Sequence, residues 1–316
     1  MKHRQTNSEL LPARRFDEIV AAFPGRIGVC IKDLDSGALY DHASNEMFPA
    51  ASIIKVPVMV ELLRQAEQGL LSLDQPCLLG APICRCGTGT LKDLQSSLQI
   101  TLRKCCQLMI VDSDNMATDV LIDLLGRAKI NKTISTLGLS HTHLAMSIGR
   151  WHYSMAGIPD EPFTTDNDLL VETRAASSQL DIEGVAFQQS LANNVSSPKD
   201  MAVMMERIHR GTLINSTASS RMLEMLSSCG HRRMIPRHLS PQITVAHKIG
   251  QSHCIRGDVG IVLLPSGPLI IAAMTLAVEK GRQRPGVSAI AEISRLAVEA
   301  FCPSGILRSP DSCSDA

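Results

Sequence analysis

Phe48-Pro-Ala-Ala-Ser-Ile-Ile-Lys-Val-Pro-Val-Met-Val-Glu-Leu62 is the stretch on which the reading of this chain turns. From Ser52 onward, Ile53, Ile54, Val58, Met59, Leu62, Leu63 and Ala66 recur with the spacing of a helix and make one broad apolar face. Residues three apart lie one turn above each other, so Lys55 is placed to reach the Ser52 hydroxyl. Ser52 falls at the expected helix N-terminus, where backbone N–H groups point outward without intrahelical partners. A hydroxyl, an amine within reach and free N–H donors are three parts of an acyl-transfer site. The tetrapeptide alone is too common to mark a nucleophile, so the rest of the chain must supply the other parts.

The 316 residues are enough for one large domain or two smaller ones. Charged residues make up 20% and the apolar set 44%, ordinary values for a globular protein. Formal net charge is zero and no long basic run occurs, which argues against nucleic acid or an anionic membrane as the main partner. The most apolar stretch, Val259 to Thr275, is broken by Pro265-Ser-Gly-Pro268 and reads as a β-hairpin, not a membrane span. The polar N-terminus leads into no apolar core of a secretory signal, so a cytoplasmic location is expected unless a leader is missing from the sequence. Ten cysteines are scattered along the chain. Cys84-Arg-Cys86 is too closely spaced for a usual zinc pair, and the adjacent Cys105 and Cys106 point to different helix faces. Reduced, mostly buried thiols are the expectation, with no metal and no cofactor.

Outward from the opening stretch, strands are expected over Arg26–Lys32 and Ala38–Asp41, with a turn at Asp35-Ser-Gly37, after a first helix over Leu10–Phe23. Pro76–Gly89 reads as a loop. A helix from Thr101 breaks at Val111-Asp-Ser-Asp-Asn115, and another over Ala117–Leu125 ends at Gly126. Gly149–Asn194 reads as a long loop carrying one or two short helices. Ser197 before Pro198 signals a helix start, and the helix runs to His209. Beyond Gly211 the pattern returns to sheet, with strands at Val245–Gly250, Asp258–Leu264 and Leu269–Leu276. A closing helix, Gly286–Phe301, puts Ile290, Ile293, Leu296, Ala297 and Ala300 on one face. Strands at both chain ends thus bracket a helical middle. The expected architecture is α+β: an antiparallel sheet domain from residues 10–72 and 212–302, an inserted helical domain over 73–211, and a disordered tail over 303–316.

Three short stretches line up in order: Ser52-Ile-Ile-Lys55, Ser113-Asp-Asn115 and Lys248-Ile-Gly250. The trio resembles the S-x-x-K, S-D-N and K-T-G motifs of class A β-lactamases and penicillin-binding proteins. The flanks are similar too, and the resemblance covers roughly Phe16 to Phe301. It implies a β-lactamase/transpeptidase-like fold. In the roles it implies, Ser52 attacks an acyl carbon and neutral Lys55 takes its proton, its pKa lowered by burial and by Lys248. Ser113 relays a proton between Lys248 and the leaving nitrogen. Asn115 holds a substrate amide, and the Ser52 and Gln251 N–H groups form the oxyanion hole beside Gly250. Lys248 and Arg256 hold a substrate carboxylate.

Two departures from that pattern stand out. The family's β-lactamases carry a loop glutamate, commonly within Arg-Trp-Glu, that activates the deacylating water. Here the match is Gly149-Arg150-Trp151-His152, with His152 at the glutamate's place. His152 is either a base near neutral pH or an ordinary loop histidine. Glu161, Glu172 and Glu183 are further acids that could fold back into the site. Ile249 replaces the hydroxyl residue of K-T-G and removes one hydrogen bond to a carboxylate, ~1–2 kcal/mol if charge-assisted. The expected function is a monomeric serine hydrolase opening a β-lactam or related amide through an acyl-Ser52 intermediate. The alternative is a D,D-peptidase, amidase or esterase that acylates but deacylates slowly; a non-catalytic binding module is the remaining reading.

Overall fold

The structure is a computed structural model and describes residues 10–80, 84–93, 98–277 and 284–302. The tail expected over 303–316 lies outside them. In chain order the elements are α1 (Ala13–Ala21), β1 (Arg26–Asp33), β2 (Leu39–His42), β3 (Phe48–Pro49), a 3-10 turn (Ala51–Ile54) and α2 (Lys55–Glu67). Next come β4 (Pro76–Leu79), β5 (Leu98–Thr101), α3 (Leu102–Val111), α4 (Asn115–Leu125), α5 (Arg127–Thr136), α6 (Ile148–Met155) and α7 (Thr165–Ala176). The chain closes with β6 (Val195–Ser196), α8 (Pro198–His209), α9 (Ser216–Ser227), β7 (Thr244–Gln251), β8 (Ile255–Leu264), β9 (Gly267–Leu276) and α10 (Pro285–Phe301).

The fold is α+β. One antiparallel sheet, in the order β2-β1-β9-β8-β7, takes two strands from the start of the chain and three from its end. The central strand β9 is buried on both faces, which is why it reads as an unbroken apolar run. Side chains alternate across a strand. Accordingly Leu269, Ile271 and Ala273 pack with α1 and α10 on one face, while Ile270, Ala272 and Met274 join the helices on the other. That second core runs on from the sheet through α2, α3, α4, α8 and α9. Among the described residues no helix is long and apolar enough to cross a membrane.

Several elements differ from the sequence expectation. Pro76–Leu79, inside the expected loop, is a strand paired antiparallel with Leu98–Thr101. Helix α9 occupies chain expected to return directly to sheet; its first turns, Ser216-Thr-Ala-Ser-Ser, carry few apolar residues, and Asn215 caps it by accepting from Ala218 N. Helix α5, equally polar, buries only Ile130, Thr133 and Ile134. In α10 Ala300 is exposed, and Ser294 and Val298 complete the buried face in its stead. The long interval before Asn194 does hold two helices, α6 and α7, as expected.

Candidate active site

Ser52 sits in the 3-10 turn Ala51–Ile54, one turn before α2, and not at a capped N-terminus: the cap position is Ala50, with no side-chain cap. The turn is entered through Ala51 at φ 43°, a left-handed conformation that costs a non-glycine residue energy and is held by its surroundings. One support is Gly250 on β7, where an added Cβ would lie 2.5 Å from the Ala50 carbonyl oxygen. Glycine there lets the sheet edge press against the turn that carries Ser52. Pro57 costs α2 little, because it falls in the first turn, where N–H groups lack helical partners anyway.

Ser113 is the second point of the site. It stands at φ 53° in the break between α3 and α4, a break made by Asp114, which caps α4 by accepting from Ala117 N at 2.9 Å. The other carboxylate oxygen of Asp114 accepts from Leu91 N at 2.9 Å. Thr88 Oγ1 donates to the Ser113 carbonyl at 2.7 Å, so the 87–91 segment clamps this loop from outside.

The two lysines meet at the Ser113 hydroxyl. Lys55 Nζ lies 3.1 Å from Ser113 Oγ, 2.6 Å from its carbonyl and 2.8 Å from Asn115 Oδ1. Lys248 Nζ donates to the same Oγ at 3.0 Å and to the Ile249 carbonyl at 3.2 Å. Both lysines are fully buried. Burial, then the charge of Lys248, pushes Lys55 well below the usual lysine range, against the pull of Asp114 and Asp119. Burial also lowers Lys248, to about 8, while Cys229 and Asp258 act to raise it. The expected contact of Lys55 with Ser52 is replaced, among the described residues, by these contacts to Ser113 and Asn115.

His152 lies on α6, whose N-terminal amides at Ile148 and Gly149 donate to the buried Asp119 at 2.6 and 2.8 Å. Burial drives Asp119 up to about 6, and those same two hydrogen bonds work against the rise. Burial, followed by Lys55 and Lys92, lowers His152 to about 4, so its ring is neutral near pH 7. Asn115 Oδ1 faces Lys55, which assigns the other amide atom as nitrogen. That nitrogen donates to the Cys86 carbonyl at 2.9 Å and lies 3.1 Å from His152 Nε2. A neutral His152 protonated at Nδ1 accepts there. In this arrangement both N–H groups of Asn115, expected to hold a substrate amide, have partners within the protein.

A cavity of about 250 Å³ joins these residues: Ser52, Ser113, Asn115, His152, Lys248, Ile249 and Gln251 all line it. Arg256 does not. Its guanidinium donates to the Ser252 and Ile255 carbonyls, although carboxylate binding was expected of it. Glu161, Glu172 and Glu183 are exposed and outside the lining. Glu172 reaches nearest, accepting from the lining residue Gly87 through its N–H at 2.6 Å. Thr88, Cys229 and His231 line the cavity as well; no periodicity or motif marks them in the sequence. Nine described cysteines are free thiols. The Cys84 and Cys86 sulfurs lie within 4.8 Å of an Asp168 carboxylate oxygen, but that carboxylate already accepts from Tyr153 Oη at 2.7 Å and Arg85 N at 3.0 Å.

The turn that carries Ser52, the Ser113 loop and the buried Lys248 thus come together around one cavity. The sequence model of the β-lactamase enzyme family matches residues 11–301, and the chain belongs to that family. It is 23% identical over 273 residues to the extended-spectrum β-lactamase PER-1 of Pseudomonas aeruginosa, covering 80% of this chain and 75% of that protein. Among solved structures it is similar to a β-lactamase from Sphaerobacter thermophilus, with 26% identity, a TM-score of 0.73, and 90% of this chain and 95% of that one covered. It is also similar to a PBP-A mutant solved as an acyl-enzyme complex with penicillin G, with 25% identity, a TM-score of 0.75, and coverage of 93% and 96%.

Proposed function

We propose that this protein is a serine hydrolase of the class A β-lactamase type that opens a β-lactam or related amide through an acyl-Ser52 intermediate, and that release of the acyl group is its slow step. The observation that carries the first half is the Ser113 hydroxyl held between Lys55 and Lys248, 3.1 and 3.0 Å from their ammonium nitrogens. A lysine lowered by burial and by a second cation is neutral often enough to act as a base. Ser52 gives its proton to Lys55 as its oxygen bonds to the carbonyl carbon. Lys55 passes a proton to Ser113 Oγ, and Ser113 delivers its own to the leaving nitrogen as the C–N bond breaks. Lys248 stays charged throughout and faces a substrate carboxylate. The Ser52 and Gln251 N–H groups stabilise the oxyanion.

The second half rests on His152. A ring lowered to about 4 is a weak base, and its Nε2 lone pair is directed at Asn115. Similarity to a PBP-A mutant captured as a penicillin G acyl-enzyme is in keeping with a long-lived intermediate. Labelling with a fluorescent penicillin tests the nucleophile: the wild-type protein retains a covalent label and Ser52→Ala does not. Equal labelling of Ser52→Ala, or no labelling of either, contradicts the reading.

A further inference from the structure

One buried corner brings two thiols and a carboxylate together, and none of the steps above uses it. Cys84 and Cys86 are 2% and 1% exposed, and neither lines the Ser52 cavity. Their sulfurs and an Asp168 carboxylate oxygen all lie within 4.8 Å of one another. Cys86 Sγ donates to Asp168 Oδ1 at 3.4 Å and lies 3.6 Å from the Asp168 carbonyl oxygen. The two thiols precede the 87–91 clamp and Asp168 belongs to α7, so chain remote in sequence closes the cluster. The one-residue spacing of the cysteines, short for a zinc pair, is offset by this third ligand from α7.

The surroundings are those of a prepared site. Cys86 N donates to Cys84 Sγ at 3.4 Å, a bond that strengthens when the sulfur carries thiolate charge. Tyr153 Oη donates to Asp168 Oδ1 at 2.7 Å and Arg85 N to Oδ2 at 3.0 Å. Those two bonds orient the carboxylate as outer partners orient metal ligands, and its remaining lone pairs are left for a cation. Gly149 makes room for Cys84: an added Cβ there would lie 2.5 Å from Cys84 Cβ. Tyr153, Ala156 and Val171 pack around the thiols as an apolar shell, while Asp168 is partly exposed, so its side of the cluster meets solvent. In a tetrahedral zinc site, bonds of about 2.3 Å to sulfur and about 2.1 Å to oxygen put two sulfurs about 3.8 Å apart and a sulfur and an oxygen about 3.6 Å apart. The Cys86–Asp168 pair is already close to that, and the other pairs need to close by no more than about 1.2 Å.

We propose that Cys84, Cys86 and Asp168 form a site for one thiophilic divalent cation of the zinc class, with water in the fourth position. Binding exchanges the two thiol protons for two metal–sulfur bonds and releases both protons to solvent. The ion fastens α7 to the segment that holds the Ser113 loop. In that segment the Cys86 carbonyl accepts from Asn115 Nδ2 at 2.9 Å, the Thr88 carbonyl accepts from Asn115 N at 3.0 Å, and Gly87 N donates to Glu172 of α7 at 2.6 Å. Its role is to brace one wall of the cavity, away from the reacting atoms.

The test titrates the full-length protein, stripped with a chelator and kept reduced with a phosphine, with Co2+. One equivalent is expected to raise a thiolate-to-cobalt charge-transfer band and the strong visible bands of tetrahedral Co2+, and zinc is expected to bleach them. The double variant Cys84→Ser/Cys86→Ser should lose the bands, while Cys77→Ser and Cys229→Ser keep them. Asp168→Asn should weaken cobalt affinity at least about tenfold. If the double variant does not fold, X-ray absorption of the wild-type zinc complex decides, with two sulfur neighbours at about 2.3 Å beside oxygen ligands expected. The proposal is overturned by no band at one equivalent, by the same band in the double variant, by its loss in Cys77→Ser or Cys229→Ser, by unchanged affinity in Asp168→Asn, or by a sulfur count other than two. Each readout is independent of acylation at Ser52, so failure of the metal site is separable from failure of the proposed function.

Discussion

The two walls of one cavity are built on opposite electrostatic plans. On one, two buried lysines share the Ser113 hydroxyl, and burial together with the charge of Lys248 makes Lys55 easier to deprotonate. On the other, His152 is neutral and its lone pair is directed at Asn115. Asn115 touches both walls, with its carbonyl toward Lys55 and its amide nitrogen toward His152. On the proposed function, taking a proton from Ser52 and activating a water are separable tasks, and this cavity is furnished for the first and poorly for the second.

Breaking the lysine wall should have the largest effect. Lys55→Met is expected to slow acylation of Ser52 by ~10²–10⁴-fold, the usual worth of a general base, read as the rate at which a penicillin adduct appears by intact-mass spectrometry. A loss under tenfold would remove Lys55 from that role. His152→Glu puts a carboxylate where the neutral ring now stands and should raise deacylation on the order of 10²-fold, measured as faster decay of the same adduct. An unchanged decay would show that the wall opposite the lysines does not limit release.

The pH dependence sharpens the same contrast. Acylation requires Lys55 neutral, so it should rise as Lys55 loses its proton below the usual lysine value of about 10.4. It should fall again as Lys248 loses its charge near about 8, giving a bell-shaped profile with limbs of about tenfold per pH unit. A profile flat across this range would contradict the paired-lysine account. The smallest effect is assigned to Ile249, buried at 7% exposure and lining the cavity. Ile249→Thr adds a donor beside Lys248 and should lower KM for a carboxylate-bearing β-lactam about fivefold, the worth of roughly 1 kcal/mol, with little change in the adduct's decay.

The meeting of the lysines at Ser113 was legible in the sequence because the stretches that carry them are short and local. Ser52 and Lys55 lie one turn apart, and the break at Ser113 is written in the capping residue Asp114. The strands were legible because burial on both sheet faces demands apolar runs, as in β9. Helices α5 and α9 were not, since their exposed faces are rich in Ser, Thr and Lys, and only tertiary packing fixes them as helices. The Pro76–Leu79 strand is a short ribbon whose partner is remote in sequence. Trp151 and His152 could be found by motif, but the engagement of His152 with Asn115 could not: it requires the approach of α6 to the start of α4. Arg256 has the right residue type for a carboxylate, yet its guanidinium turns back on the Ser252 and Ile255 carbonyls.

The central claim is that Ser52 is acylated readily and released slowly. An intact-mass time course of the wild-type protein with excess penicillin G, followed by removal of the free drug, measures both steps in one experiment. The account predicts a stoichiometric adduct on Ser52 that persists after the drug is gone, while Ser52→Ala stays unmodified. Absence of any adduct together with no loss of penicillin, or rapid consumption of the drug without an accumulating adduct, would contradict it.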